Sequence, residues 1–167
     1  NYIEIGGIYE KKVDIYKEKN NNEARIIIIP FGKHKIGARQ TKDYAIISYL
    51  AEKDSKKIGE FILWALEESD ENVIEEHSKT DFGKQYFNCS SYRKIASEYN
   101  LLNFSLDNNE YKLQLNMKDG YGYSLFEDEL GNECKYVFKE KPSAEELGLK
   151  VMEMFEFKEN YDEERRI

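Results

Sequence analysis

Asp54-Ser55-Lys56-Lys57-Ile58-Gly59-Glu60-Phe61-Ile62-Leu63-Trp64-Ala65-Leu66 and Ser143-Ala144-Glu145-Glu146-Leu147-Gly148-Leu149-Lys150-Val151-Met152-Glu153-Met154-Phe155 read as one helix written twice. Each opens on a residue suited to an N-cap, Asp54 or Ser143, because a short side-chain oxygen can accept from the free N–H groups of the first turn. Ser143 with Glu146 also has the capping-box spacing. Each then places an apolar residue before a glycine, Ile58-Gly59 and Leu147-Gly148, and continues with apolar residues at helical spacing: Phe61, Ile62, Ala65 and Leu66 in the first copy, Val151, Met152, Met154 and Phe155 in the second. Glycine inside a helix costs about 1 kcal/mol relative to alanine. Two at one position therefore predict that each helix backbone approaches another element closely, and a strand is the expected neighbour.

Working outward, residues 2–8 and 12–16 read as short strands. Gly6 and Gly7 bend the first, and in the second Val13 and Ile15 alternate with charged residues, the pattern of a half-exposed antiparallel strand. Asn20, Asn21 and Asn22 supply a turn. The runs at 26–29, closed by Pro30, and at 44–50 are continuously apolar, as in strands covered on both faces, and are expected at the sheet centre. Residues 31–41 hold Gly32, Gly37 and several cations without the spacing of a nucleotide loop, so they read as a solvated connection. A short helix capped by Ser90 or Ser91 is expected to end near Asn100. Strands at 102–106 and 111–117 follow, joined through Asp107-Asn108-Asn109. Asp119-Gly120 and Gly131-Asn132 mark further turns, the second leading into a strand at 134–139. The repeat helix is expected to end near Phe157 and residues 159–167 to fray.

These elements predict one α+β (or α/β) domain over 1–167: a mostly antiparallel or mixed central sheet packed by two repeat-related helices and a short middle one. A chain of 167 residues is long enough for one sizeable core. No apolar run approaches the ~20 residues of a membrane span, and the first residues lack a signal pattern. Cys89 and Cys134 lie far apart without metal-binding spacing, which fits a reduced cytoplasmic protein.

The formal charge is −8. Residues 10–42 carry nine Lys and Arg against four Asp and Glu, a balance of +5, leaving −13 on the remainder. A field of that sign repels nucleic acid and attracts basic proteins. Two surfaces stand out. One is the acidic stretch after the first repeat helix, with Glu71, Glu75 and Glu76, which can be a solubilising loop or a phosphate mimic facing a basic groove. The other is the edge with Tyr121, Tyr123, Glu127 and Asp128. Tyrosines there give large contact area at low entropy cost, while consecutive carboxylates point to opposite faces of a strand and so do not share a catalytic or metal site. His34 and His77 have no serine or cysteine partner at a recognisable spacing, and neither metal-ligand cluster nor cofactor loop is found.

Asp54-Ser55-Lys56-Lys57-Ile58-Gly59 with Trp64-Ala65-Leu66-Glu67-Glu68-Ser69, and Pro142-Ser143-Ala144-Glu145-Glu146-Leu147-Gly148, resemble the paired helix signatures of the immunity proteins of bacterial contact-dependent growth inhibition systems. Ser90-Ser91-Tyr92-Arg93-Lys94-Ile95 is similar to that family's middle segment. The second copy departs from the usual pattern, with Met154-Phe155 where an Ala-Leu pair is common. The resemblance implies a non-enzymatic protein without a cofactor that binds the C-terminal toxin domain of its cognate inhibition protein. Toxins of such systems are often nucleases with basic clefts, so the acidic and tyrosine residues named above become the candidate contacts. The competing readings are a single-stranded nucleic-acid binder using sheet tyrosines as stacking platforms, which the net charge opposes, and a small enzyme of unknown type.

Overall fold

In the computed structural model, which describes residues 11–19, 24–34, 39–49, 54–70, 73–74 and 82–166, the run at 26–29 is buried from both sides. It belongs to strand β2 (Arg25–His34), which pairs antiparallel with β1 (Lys11–Glu18), placing Ile28 opposite Ile15. On the other side of β1 lies β6 (Tyr99–Asp107), then β7 (Glu110–Asp119) and β8 (Gly122–Leu125). The far edge of β2 carries β3 (Arg39–Thr41), giving the order β3-β2-β1-β6-β7-β8. Off this path, β4 (Ile46–Tyr49) and the two-residue β5 (Val73–Ile74, parallel) pair with β2, and β9 (Lys135–Phe138) pairs with β7. The β6–β7 turn places Asn108 and Asn109 at φ of 52° and 63°, the left-handed pair that a two-residue hairpin needs and asparagine tolerates.

Four helices complete the described chain: α1 (Ser55–Glu68), α2 (Phe82–Gln85), α3 (Tyr92–Glu98) and α4 (Ala144–Glu164). Because neighbours on a strand alternate faces, β2 sends Ile26 and Ile28 into the larger core with Val13, Ile15, Leu102 and Phe104, where α1 and α4 pack. It sends Ile27 and Ile29 into a smaller core with Phe87, Cys89, Ile95 and Tyr99 beneath α3. The result is an α+β domain, as the element pattern predicts. The repeat is real in space: Ile58 and Leu147, Ile62 and Val151, Ala65 and Met154, Leu66 and Phe155 are all buried in one core. Burying such a side chain is worth about 1.5–3 kcal/mol.

The repeated glycines contact each other's helices and not a strand. A Cβ on Gly59 would lie 1.8 Å from the Ala144 carbonyl oxygen, and one on Gly148 would lie 1.7 Å from that of Ser55. Each glycine thus lets the first turn of the other helix rest on its backbone. The two starts are capped differently. Ser143 accepts from the Glu146 N–H at 3.1 Å, while the Asp54 side chain makes no such cap bond.

Other expectations shift. Pro30 does not close its strand. Its carbonyl accepts from the Lys42 N–H at 2.9 Å, and since a strand residue's N–H and C=O point the same way, the donor it lacks faces β3 and β4 and not β1. The run at 44–50 is not central: among the described residues β4 pairs with β2 alone, and it is half-exposed. The supposed connection at 31–41 continues β2 and returns as β3. Helix α4 runs seven residues past Phe157, to Glu164, and α3 ends at Glu98 so that Asn100 is already in β6. The expected strand at 2–8 and the turn at 20–22 lie outside the described residues. Among the described residues, no helix is long and apolar enough to cross a membrane.

Candidate functional site

The face of the sheet opposite α1 and α4 carries the candidate site. Strand β8 and helix α3 close over β1 and β2 to leave a cavity of about 370 Å³, lined by Tyr16, Ile29 and Phe87 together with Tyr92, Tyr121 and Tyr123. The rings meet edge to face: Phe87 lies 4.8 Å from Tyr16 and 5.0 Å from Tyr99, and Tyr16 lies 5.9 Å from Tyr123. Edge-to-face contacts of this kind add about 0.5–1.5 kcal/mol each beyond burial.

The two predicted tyrosines play different parts. The Tyr123 hydroxyl lies 2.8 Å from the Tyr99 carbonyl and 3.1 Å from that of Ile95, so it ties β8 to the end of α3. Burial, then the Asp14 carboxylate, pushes that phenol well up. Tyr121 is 71% exposed, as Tyr92 is at 74%, and the Arg93 guanidinium sits 5.4 Å from the Tyr121 ring centre. One face of Tyr121 is thereby occupied and Tyr123 is half-buried, which weakens the pair as base-stacking platforms.

On the same face of β1 as Tyr16, two residues before it, stands Asp14. The sequence pattern puts it on a solvated face of β1, yet it is only 7% exposed, because that face is covered in turn. The Asn103 amide donates to its Oδ1 at 2.5 Å, and the Asn116 amide donates to Asn103 Oδ1 at 2.8 Å. Burial raises the carboxyl from 3.8 to about 6, outweighing the nearby Lys12 and the amide hydrogen bond. Lys12 does not pair with it and instead lies over Phe31, 4.8 Å from the ring centre. After burial, Asp14 is the largest influence raising the Tyr16 phenol as well.

The acidic candidates are not part of this cavity. Glu127 is exposed and bridges to Glu133 across a tight loop. Asp128 organises that loop: its Oδ1 accepts from the N–H groups of Leu130 and Asn132, both at 2.9 Å, and its Oδ2 from the Asn132 amide at 3.1 Å. These bonds to the charged form hold its carboxyl below the ordinary value. The next residue, Glu129, forms a two-armed pair with Arg165 past the end of α4, which brings its carboxyl down to about 2. Glu71, Glu75 and Glu76 lie outside the described residues. Just before them, the acids at the end of α1 are met by lysines: Lys42 Nζ lies 2.6 Å from the Glu68 carbonyl oxygen and 3.1 Å from Asp70. Acids at this end of a helix oppose its dipole, and Lys11 and Lys141, 3.9 and 3.8 Å from the Glu67 carboxylate, offset part of that cost.

Asp14, Tyr16, Phe87 and Tyr92 were not legible as site residues, since the cavity joins β1, β2, β3, α3 and β8 with the loop that carries Phe87; the one available signal was a lone acid among apolar residues of a strand. Cys89 and Cys134 are free thiols. Cys89 donates to Glu98 at 3.2 Å and is pushed up to about 11, by burial first. Among the described residues, no group of His, Cys, Asp and Glu is arranged to hold a metal.

No protein-family model matches the chain, and no curated sequence does. Solved structures do resemble it. A chain of the CdiA-CT/CdiI toxin and immunity complex from Yersinia pseudotuberculosis superposes with a TM-score of 0.62 at 9% identity, over 89% of this chain and 98% of that one. A protein of unknown function from Neisseria meningitidis superposes with a TM-score of 0.56 at 16% identity, over 85% and 92%. At these identities the likeness establishes a shared fold.

Proposed function

We propose that this protein is an immunity protein, which binds and neutralises the C-terminal toxin domain of a contact-dependent growth inhibition system in the cytoplasm. The observation that carries the reading is the superposition, over most of both chains, on a chain of a toxin and immunity complex, in agreement with the sequence resemblance of the two helix signatures. The protein acts by occupying a surface and performs no chemistry of its own. Its charge of −8 suits a basic partner, such as a nuclease whose active site or substrate surface it covers, and complementary charge would speed their association more than it deepens affinity.

The contact face assigned here is the rim of the aromatic cavity. Exposed Tyr92 and Tyr121 with Arg93 between them supply the residue types that dominate interface energetics. Glu71, Glu75, Glu76, Glu127 and Asp128 are proposed as further, acidic contacts for a basic partner. The test is co-purification with the toxin domain encoded immediately upstream, joined to a growth assay with that toxin alone and with this protein. A stoichiometric complex and rescued growth support immunity, and Tyr92→Ala with Tyr121→Ala should then weaken the complex at least about tenfold. An active, folded toxin that neither binds nor is neutralised refutes it.

A further inference from the structure

Next to the aromatic cavity is a buried carboxylate, Asp14, that has no cationic partner among the described residues. Asp14 and Tyr16 project from the same face of β1, two residues apart. The Asp14 carboxylate is also the strongest charge acting on both Tyr16 and Tyr123, two rings of the cavity. No lysine or arginine forms an ion pair with it among the described residues: Lys12 is turned to Phe31, and its hydrogen bonds come from two neutral donors, the Asn103 amide and the Tyr16 phenol. A buried carboxylate without a cation lowers folding stability, and groups kept in that condition beside a cleft concentrate at functional sites. The cavity walls are the other half of the argument. Ring faces attract cations through their quadrupole, and this chain already stacks its own guanidinium groups on tyrosines: Arg93 over Tyr121, and Arg25 over Tyr49 at 5.5 Å.

We propose that the cavity between β8, α3 and β1 is a receptor for one guanidinium side chain of a partner protein, boxed by Tyr16, Phe87, Tyr92, Tyr121 and Tyr123 and neutralised by Asp14 next to them. This deepens the immunity reading and rests on it for the source of the arginine, while the recognition chemistry belongs to the cavity alone. The rings desolvate the planar cation and the exposed pair at the mouth closes over its stem. Asp14 supplies the counter-charge that an all-aromatic box lacks. A neutral side chain of the same shape gains only the stacking, so charge is what the site selects.

The experiment separates the cavity from the toxin. N-acetyl-arginine amide and its uncharged isostere N-acetyl-citrulline amide are titrated into the full chain, and the ring signals of Tyr16, Tyr121 and Tyr123 and the Asp14 carboxyl are followed by NMR. Saturable shifts with the arginine probe, at least about tenfold weaker with citrulline and lost in a folded Asp14→Asn variant, support the proposal. Equal shifts with both probes, no saturable shift, or unchanged arginine binding in Asp14→Asn overturn it. With the toxin domain, Asp14→Asn should weaken the complex by about tenfold. A toxin complex that forms normally and is indifferent to Asp14→Asn overturns the cavity's role and leaves immunity standing, whereas arginine binding without any toxin complex does the reverse.

Discussion

Replacing either repeated glycine by alanine sets two opposite effects against each other at the α1–α4 contact. In an isolated helix the change is favourable by about 1 kcal/mol. Here the new methyl would meet carbonyl groups: 1.8 Å from Ala144 O and 2.6 Å from its carbon for Gly59, and 1.7 Å and 2.5 Å from the corresponding Ser55 atoms for Gly148. Backbone cannot rotate away as a side chain can, so the helices must part by roughly 1.5 Å to restore a normal contact near 3.3 Å. A gap of 0.5–1 Å already forfeits about a quarter or more of the dispersion well. Ile58, Ile62, Leu66, Leu147, Val151 and Phe155 share the core that would loosen, and at about 2 kcal/mol each a quarter of their burial is roughly 3 kcal/mol. Each single variant should therefore lose about 2 kcal/mol net, seen as a lower urea midpoint at unchanged m-value. The double variant should lose much less than twice that, because one separation of the helices relieves both clashes. Gly122→Ala, where an added Cβ meets nothing within 4 Å, is the control and should be nearly silent. Stabilisation by Gly59→Ala, or full additivity of the pair, would refute the backbone-contact account.

Three further outcomes follow from single contacts. Asp14 titrates near 6 in the folded protein against an ordinary 3.8, so between those values the folded state holds a proton the unfolded chain has released. The Asp14 contribution is then most favourable below about pH 4 and falls by roughly 3 kcal/mol as pH rises to about 6; Asp14→Asn should remove that part of the slope and raise stability at pH 7, which pH-dependent denaturation will show. Ser143→Ala removes the oxygen that caps α4 and should cost about 1 kcal/mol in the same assay. Asp128→Ala should accelerate amide hydrogen exchange at Leu130 and Asn132, whose N–H groups its carboxylate accepts, and leave exchange in α1 unchanged.

The sequence by itself determined the larger elements, though not β3, β5 or α2. Periodicity marks the two repeat helices; continuous apolarity at 26–29 marks a strand covered on both faces; paired asparagines mark the β6–β7 hairpin. Each of these signals is local, depending on residues a few positions apart. It also showed that Gly59 and Gly148 needed a close neighbour, because glycine's cost in a helix is a local quantity. Which neighbour could not be read: the partner of Gly148 is Ser55, far back in the chain, and only the crossing of α1 and α4 decides that helix meets helix. The same limit hid the cavity. On β1, Asp14 alternates with Val13 and Ile15 as a solvated residue would, and only the folding of α3 and β8 over that face buries it. Tyr121 was visible as an exposed ring, but Tyr16, Phe87 and Tyr92 join it through tertiary contact alone. Strand alternation specifies two faces and leaves open what covers each, so the larger core was legible while the smaller core, with the candidate site it frames, was settled by tertiary packing.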